Sequence, residues 1–331
     1  MIDDILIAGL RDTGASIALA LTQAEFGQTR TGYDADSQWV RDARKCGAIQ
    51  RQGLHLERAS QRADLVILTV SAAEAQDYLE VIVPQLKPGA LLLDLASCKS
   101  QVAAWVADNL GPNRAYIAAA LAVSPARLHG LSPDPPPPQA DRFQNGLMAL
   151  AIPARTPEAS VELALAVAHH LGATPFFLDP GEIDAVVATV EHLPALLGAA
   201  LMRIAVGTPG WREARRLAGQ EFASVALAGA VQPPMQLLAS LHLNRANIVH
   251  RLDALLEELS EWRSMLADDA RAEELATRLS HAIQVHDEWL AARRRSDWAR
   301  EEQGTVELPE RSGFIDRMLG IRQPLRPKDR R

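Results

Sequence analysis

Two cysteines in 331 residues, Cys46 and Cys98, are too few for a disulfide framework and suit a reducing, cytoplasmic setting. The start, Met1-Ile2-Asp3-Asp4, lacks the basic residues and apolar stretch of a secretory signal. No uncharged apolar run reaches the length of a bilayer; the nearest, Leu193 to Val206, is broken by Arg203 and predicts a buried helix. Positive charge is not in excess either. A formal net charge of −7 argues against a nucleic-acid or anionic-membrane partner and leaves small molecules as the expected ligands. The conspicuous basic residues, Arg293 to Arg295 and the tail from Arg322 to Arg331, are expected to be a solvated end. The histidines form no H-E-x-x-H, and His281 and His286 miss the spacing of one helix face, so no metal centre is expected.

What is present is an ordinary globular composition, 48% hydrophobic and 23% charged, which sets disorder aside, in a chain long enough for two domains. Ile5 to Ala8, Thr29 to Tyr33, Leu65 to Val70, Leu91 to Asp94 and Tyr116 to Val123 are short apolar strands. Helices fall between them, over Ser16 to Ala24 and Val102 to Asn109. That alternation predicts a parallel sheet covered on both faces, an α/β doubly wound Rossmann-type fold. Ser132 to Pro138 is a proline-rich loop. Strand Gly146 to Ile152, helix Pro157 to Leu171 and strand Pro175 to Leu178 complete a first domain at about residue 180. From Gly181 the pattern is helical to about residue 300, and 301–331 is a tail. Ile248, Leu252, Leu255, Leu259, Trp262 and Leu266 share one helix face, and Leu275, Leu279, Ala282 and Leu290 continue in a second helix. Such an all-helical half buries its seams within a monomer or against a second copy, and a homodimer through this domain is the expectation.

Gly9-Leu10-Arg11-Asp12-Thr13-Gly14 lies between the first strand and the first helix, where a G-x-G-x-x-G dinucleotide loop belongs. Gly9 suits the tight turn and Gly14 the close helix–strand packing. Arg11 replaces the middle glycine, where a side chain crowds a pyrophosphate unless it swings out to pair with a phosphate. Asp34, twenty residues beyond Gly14, ends the second strand. A carboxylate there accepts from ribose hydroxyls and repels a 2′-phosphate, which favours NAD over NADP. The cofactor-binding candidates are Gly9, Arg11, Gly14 and Asp34; the alternative is a Rossmann domain that keeps its shape without its ligand.

Further motifs follow in order: Gly32-Tyr33-Asp34, Ala63-Asp64-Leu65-Val66, Asp94-Leu95-Ala96-Ser97-Cys98-Lys99, Leu171-Gly172-Ala173 and Asp179-Pro180-Gly181-Glu182-Ile183-Asp184. Glu191-His192-Leu193-Pro194 and Asn244-Arg245 complete the series. In this order and spacing, over roughly the first 265 residues, the chain resembles the prephenate dehydrogenase family. The family's D-x-x-S-x-K turn is matched at Asp94 to Lys99, and its S-H-L-P-H helix at Glu191 to Pro194. The resemblance implies NAD-dependent oxidative decarboxylation of prephenate to 4-hydroxyphenylpyruvate in tyrosine biosynthesis. The protein would place the nicotinamide, accept the hydroxyl proton and hold the carboxylates.

The chain departs from that family where substrate is expected. The histidine of an H-P-x-x-G turn after the fifth strand has no counterpart in Ala118 to Ala126. Ser124 stands in its place before Pro125, and His129 substitutes only through a shifted loop. Ile183 replaces the histidine of E-x-H-D, and Ala195 the second histidine of H-x-P-H. Ser224 to Ala230, where the substrate-carboxylate arginine is expected, carries no charge. Catalytic candidates are therefore Ser97, His192, Ser124 and His129; substrate-binding candidates are Lys99, Asp184 and Asn244. Each has a plainer reading: Ser97 as a helix cap, Lys99 as a first-turn residue, His192 as a core histidine, Asp184 as a helix-start acid. Cys98 is read as a small core residue. Three functions compete: an NAD-dependent dehydrogenase with an altered site, an enzyme for a less anionic substrate, and a non-catalytic descendant. 3-Hydroxyacid dehydrogenases, which need a lysine in the helical half, are excluded because none occurs between Gly181 and Trp298.

Overall fold

A computed structural model of the chain describes residues 2–128 and 137–296. His129, most of the proline-rich loop and the basic tail therefore lie outside the described residues. The first part alternates strand and helix: β1 (Asp4–Ala8), α1 (Asp12–Gln23), β2 (Thr29–Tyr33), α2 (Ser37–Lys45), β3 (Arg51–Gln52) and α3 (Leu56–Arg62). It continues with β4 (Leu65–Leu68), α4 (Ala72–Gln85), β5 (Leu91–Asp94), α5 (Lys99–Asn109), β6 (Ala115–Ala122), β7 (Gly146–Ala151), α6 (Glu158–His170) and β8 (Ala173–Phe177). Every residue of β4 and β5 is buried, as strands covered on both faces require.

The eight strands form one sheet in the order β3-β2-β1-β4-β5-β6-β7-β8. The order reverses between β1 and β4, and this is the switch point where ligands bind beyond the strands' carboxyl ends. The sheet is parallel except at one place. β7 runs antiparallel to β6, with Ala118 opposite Ala151 and Ala122 opposite Leu147. A parallel partner needs a crossover, usually a helix. The described chain between β6 and β7 holds only a 3-10 turn, Pro125–Arg127, so β7 enters from the opposite end. The expected third strand also stops two residues early. Thr69 turns its Oγ1 onto the Gly9 carbonyl (2.8 Å), and Ser71 opens α4 through a capping box with Glu74.

Helices follow: α7 (Pro180–Val187), α8 (Leu193–Gly207), α9 (Trp211–Leu217), α10 (Gln220–Ala228), α11 (Pro234–Leu243), α12 (Arg245–Leu266) and α13 (Ala272–Arg295). Residues 2–280 pack as one unit, and the chain from His281 belongs to a second. A π-helical turn, Ala188–His192, joins α7 to α8, where Pro194 cannot supply the next backbone donor. α8 meets the end of α10 at Gly198 and Gly229, where a Cβ on either glycine would strike the other segment's backbone.

The expectation of a buried helix at Leu193 to Val206 is overturned. Ala195 and Gly198 alone are buried in α8, while Ile204 is 69% and Val206 55% exposed. Counting runs between charges also understated the segment. The continuous helix Pro180–Gly207 is long and apolar enough, by length and composition, to cross a membrane. It nonetheless carries the buried carboxylate of Asp184, and Leu256, Leu259 and Leu266 of α12 are exposed as well.

Candidate active site

The glycine loop keeps the two glycines that shape it. Gly9 has φ +96°, which a side chain would strain, and a Cβ on Gly14 would run into the Gly9 carbonyl. Arg11 occupies an extended conformation, φ −64° and ψ −176°, that any residue adopts, which is why the middle glycine is dispensable for shape. Its side chain leads away from the loop to Glu74 in the first turn of α4 (3.5 Å). Asp34 directly follows β2 and ties the loop down: Oδ2 accepts from Leu10 N (2.8 Å) and Oδ1 from Asp36 N (2.9 Å). Lone pairs remain on both oxygens for ribose hydroxyls.

At the start of α1, Asp12 Oδ1 accepts from Thr13 N (2.7 Å), and Asp12 Oδ2 pairs with Arg142 (2.8 Å). No described residue accepts from the N–H groups of Arg11, Asp12 or Gly14. Those open donors at a helix start, with the Gly9–Gly14 cradle and Asp34 beside them, fit the diphosphate and ribose of a dinucleotide.

The second cluster is built on the turn after β5. Cys98 takes φ +69°, a costly conformation for a side-chain-bearing residue, and caps no helix through its side chain. The helix start is satisfied from elsewhere: Asp184 on α7 accepts from Lys99 N (2.5 Å) and Ser100 N (2.9 Å). Asp184 is thus an inter-element cap rather than an acid at its own helix start. Asn244 donates Nδ2 to the Asp184 carbonyl (2.7 Å), and the same nitrogen faces His192 Nδ1 at 3.5 Å. Because the Asp184 carbonyl can only accept, the Asn244 amide is fixed with its nitrogen toward the ring. His192 Nδ1 must therefore accept, and the ring proton sits on Nε2. Burial pushes the His192 pKa below its ordinary value, against the opposing pull of Asp184. The ring is neutral at neutral pH and is not poised to take a proton.

Lys99 does not reach toward a ligand, contrary to its assignment as a substrate-binding residue. It is 2% exposed, and its ammonium folds under the turn onto the carbonyls of Asp94 (2.8 Å) and Ala96, with the Asp94 carboxylate at 3.6 Å. Desolvation lowers its pKa while Asp94 opposes. Tyr116 donates to the same carboxylate (2.9 Å), which also accepts from Ala96 N (2.8 Å). Lys99 and Asp94 are the buried brace of the turn that presents Ser97. The Cys98 thiol, pushed up to about 12 by burial, stays protonated and gives a weak hydrogen bond to the Ser240 carbonyl (3.4 Å).

Ser97 is half-buried at the carboxyl end of β5, and the cap reading fails for it because Asp184 does the capping. Ser124 stands apart from this network. It opens the turn after β6, where its N donates to Arg142 O (2.8 Å) and its Oγ accepts from Ala126 N (3.4 Å). Helix α10, expected to carry the carboxylate-binding arginine, has none.

Three residues with a place in these sites escaped the sequence reading. Glu74 and Arg142 come from segments without a motif, and only the charges of Arg11 and Asp12 hint that partners are needed. Glu191 stands where the resembled motif has serine. Its side chain meets solvent, while partial desolvation raises its carboxyl pKa against the pull of Lys99.

A glycine loop at the switch point of a mostly parallel sheet, with helices completing a second polar cluster, defines a two-part dinucleotide-fold protein of the oxidoreductase type. The prephenate dehydrogenase nucleotide-binding domain model matches residues 17–177, and the prephenate dehydrogenase dimerization domain model matches residues 179–281. The chain belongs to the prephenate dehydrogenase family. It is 23% identical over 323 residues to the prephenate dehydrogenase of Bacillus subtilis (strain 168), covering 97% of this chain and 85% of that one. Among solved structures it shares its fold with prephenate dehydrogenase from A. aeolicus in complex with hydroxyphenyl propionate and NAD+ (18% identity, TM-score 0.76, 87% and 98% of the two chains). It shares it also with Synechocystis arogenate dehydrogenase (20% identity, TM-score 0.68, 86% and 99%).

Proposed function

We propose that this chain binds NAD across β1 and β4 and carries out a slow oxidative decarboxylation of prephenate to 4-hydroxyphenylpyruvate, as a homodimer joined through its helical part. The observation that carries the reading is the polar network from the Ser97–Lys99 turn through Asp184 and Asn244 to His192, because it gathers these polar groups near the carboxyl end of β5, where ligands bind in such sheets. When bound, NAD supplies the hydride acceptor for the ring carbon bearing the 4-hydroxyl, while the ring carboxylate leaves as carbon dioxide.

The chain's own residues would do the positioning. The open N–H groups of α1 and the Asp34 carboxylate hold the dinucleotide, and the charge of Asp34 disfavours a 2′-phosphate. Ser97 Oγ and His192 Nε2–H orient oxygens of the substrate. Neither His192, which holds its own proton on Nε2, nor Ser124, a weak acceptor engaged in its turn, takes the hydroxyl proton as the family's histidine would. Loss of general-base help costs about a hundred- to ten-thousand-fold.

The experiment is NADH formation from prephenate at neutral pH, with NADP in parallel. The expected rate lies well below the roughly ten per second of an ordinary enzyme, with NAD preferred; Ser124→His raises it. No NADH from prephenate in any variant would overturn the reading. The absence of any arginine from α10 favours a second reading, a less anionic substrate such as arogenate, the compound named for the Synechocystis neighbour. Faster NADH formation from arogenate than from prephenate would select it.

A further inference from the structure

Arg11 and Glu74 face each other across the switch point. Arg11 follows β1, Glu74 sits in the first turn after β4, and the ion pair spans the crevice between the two adjacent strands. Both side chains are well solvated, 41% and 33% exposed, so the pair is weakly held and readily exchanged. Glu74 has a second engagement, accepting from Ser71 N (3.2 Å) and Ser71 Oγ in its capping box, and keeps that when Arg11 leaves. Arg11, by contrast, has no other side-chain partner among the described residues. It lies at the start of α1 beside three unclaimed N–H groups, where a diphosphate would lie. A guanidinium that turns from Glu74 to a diphosphate gains charge-assisted, bidentate hydrogen bonds that a single solvated carboxylate does not match.

We infer that Arg11 is an exchangeable phosphate ligand: Glu74 holds it across the crevice in the free protein, and a bound dinucleotide diphosphate takes it over. The arginine in the middle glycine position is then a positioning residue for the cofactor rather than a lesion, and Glu74 competes with the cofactor for it. The inference rests on the proposal that the chain binds NAD. It gives the two partners of one ion pair opposite effects on binding, which a merely structural bridge does not.

The test is calorimetric titration of the full-length protein with NAD, for wild type, Arg11→Gln, Glu74→Gln and the double variant. Glu74→Gln keeps the capping box, because glutamine serves at that position, and thermal melting checks that each variant is folded. Arg11→Gln is expected to weaken NAD binding about tenfold and to flatten its salt dependence. Glu74→Gln is expected to tighten binding about two- to fivefold. In the Arg11→Gln background Glu74→Gln loses its effect, since no arginine is left to release. Equal affinities in all four proteins, or looser binding in Glu74→Gln, would overturn the exchange while leaving NAD binding intact. No NAD binding by folded wild type would remove the nucleotide reading and this inference with it.

Discussion

His192 shows how far a residue's neighbours determine its chemistry. A histidine in an E-H-L-P segment suggests a proton acceptor, but the Asn244 amide, pinned by the Asp184 carbonyl, assigns the ring proton to Nε2. The same contact predicts a pH dependence. The folded-state pKa of His192 lies below the unfolded value of about 6.5. Above that value the contribution to stability is complete. As pH falls below it the unfolded chain takes up the proton first, so stability declines until the folded pKa is passed. Urea unfolding of wild type and His192→Gln across this range checks it: wild type loses stability below about pH 6.5 by a slope the variant lacks. Equal slopes would mean that the ring is not held neutral. Sequence alone made His192, Asn244 and Asp184 candidates together, yet not their bonds, because Asn244 comes from the junction of α11 and α12, far along the chain from the helix that carries the other two. The sequence was silent on Glu74 and Arg142 for the same reason; nothing local marks a charge whose partner is more than sixty residues away.

At the scale of the element, the turn after β5 is held from outside. α5 begins at Lys99, three residues before the expected start, because Asp184 supplies the cap that the local sequence lacks. Removing this buried cap by Asp184→Ala should cost about 1–2 kcal/mol. Lys99→Met should cost more, about 3–5 kcal/mol, because it strands the Asp94 carboxylate in the core. Chemical denaturation of the two variants gives the order; a negligible loss in Lys99→Met would show that Asp94 finds water instead. Elements whose pattern is local were legible: the apolar β4 and β5, and the long periodic α12. The reversal of β7 was not, since it depends on how the chain returns after β6 rather than on the residues of the strand. The exposure of α8 was hidden as well, because an apolar helix looks alike whether its own chain or another copy covers it.

At the scale of the molecule, α8, α11 and α12 carry large apolar side chains that are exposed in the single chain. Met235, Leu238, Leu256, Leu259 and Leu266 are each at least 46% exposed, and a second copy is the cover the proposal assigns. Light scattering should report a dimer at micromolar concentration. Leu259→Glu, whose site is open in the single chain, should give a folded monomer; an unchanged dimer would place the interface elsewhere. The central claim, however, concerns chemistry: the inherited framework still turns prephenate over although its usual base and arginine are gone. The most direct measurement mixes protein at substrate-level concentration with NAD and prephenate and follows NADH, 4-hydroxyphenylpyruvate and carbon dioxide together. The account predicts that the three appear slowly and in equal amounts. Prephenate recovered intact from folded protein with NAD bound would contradict it.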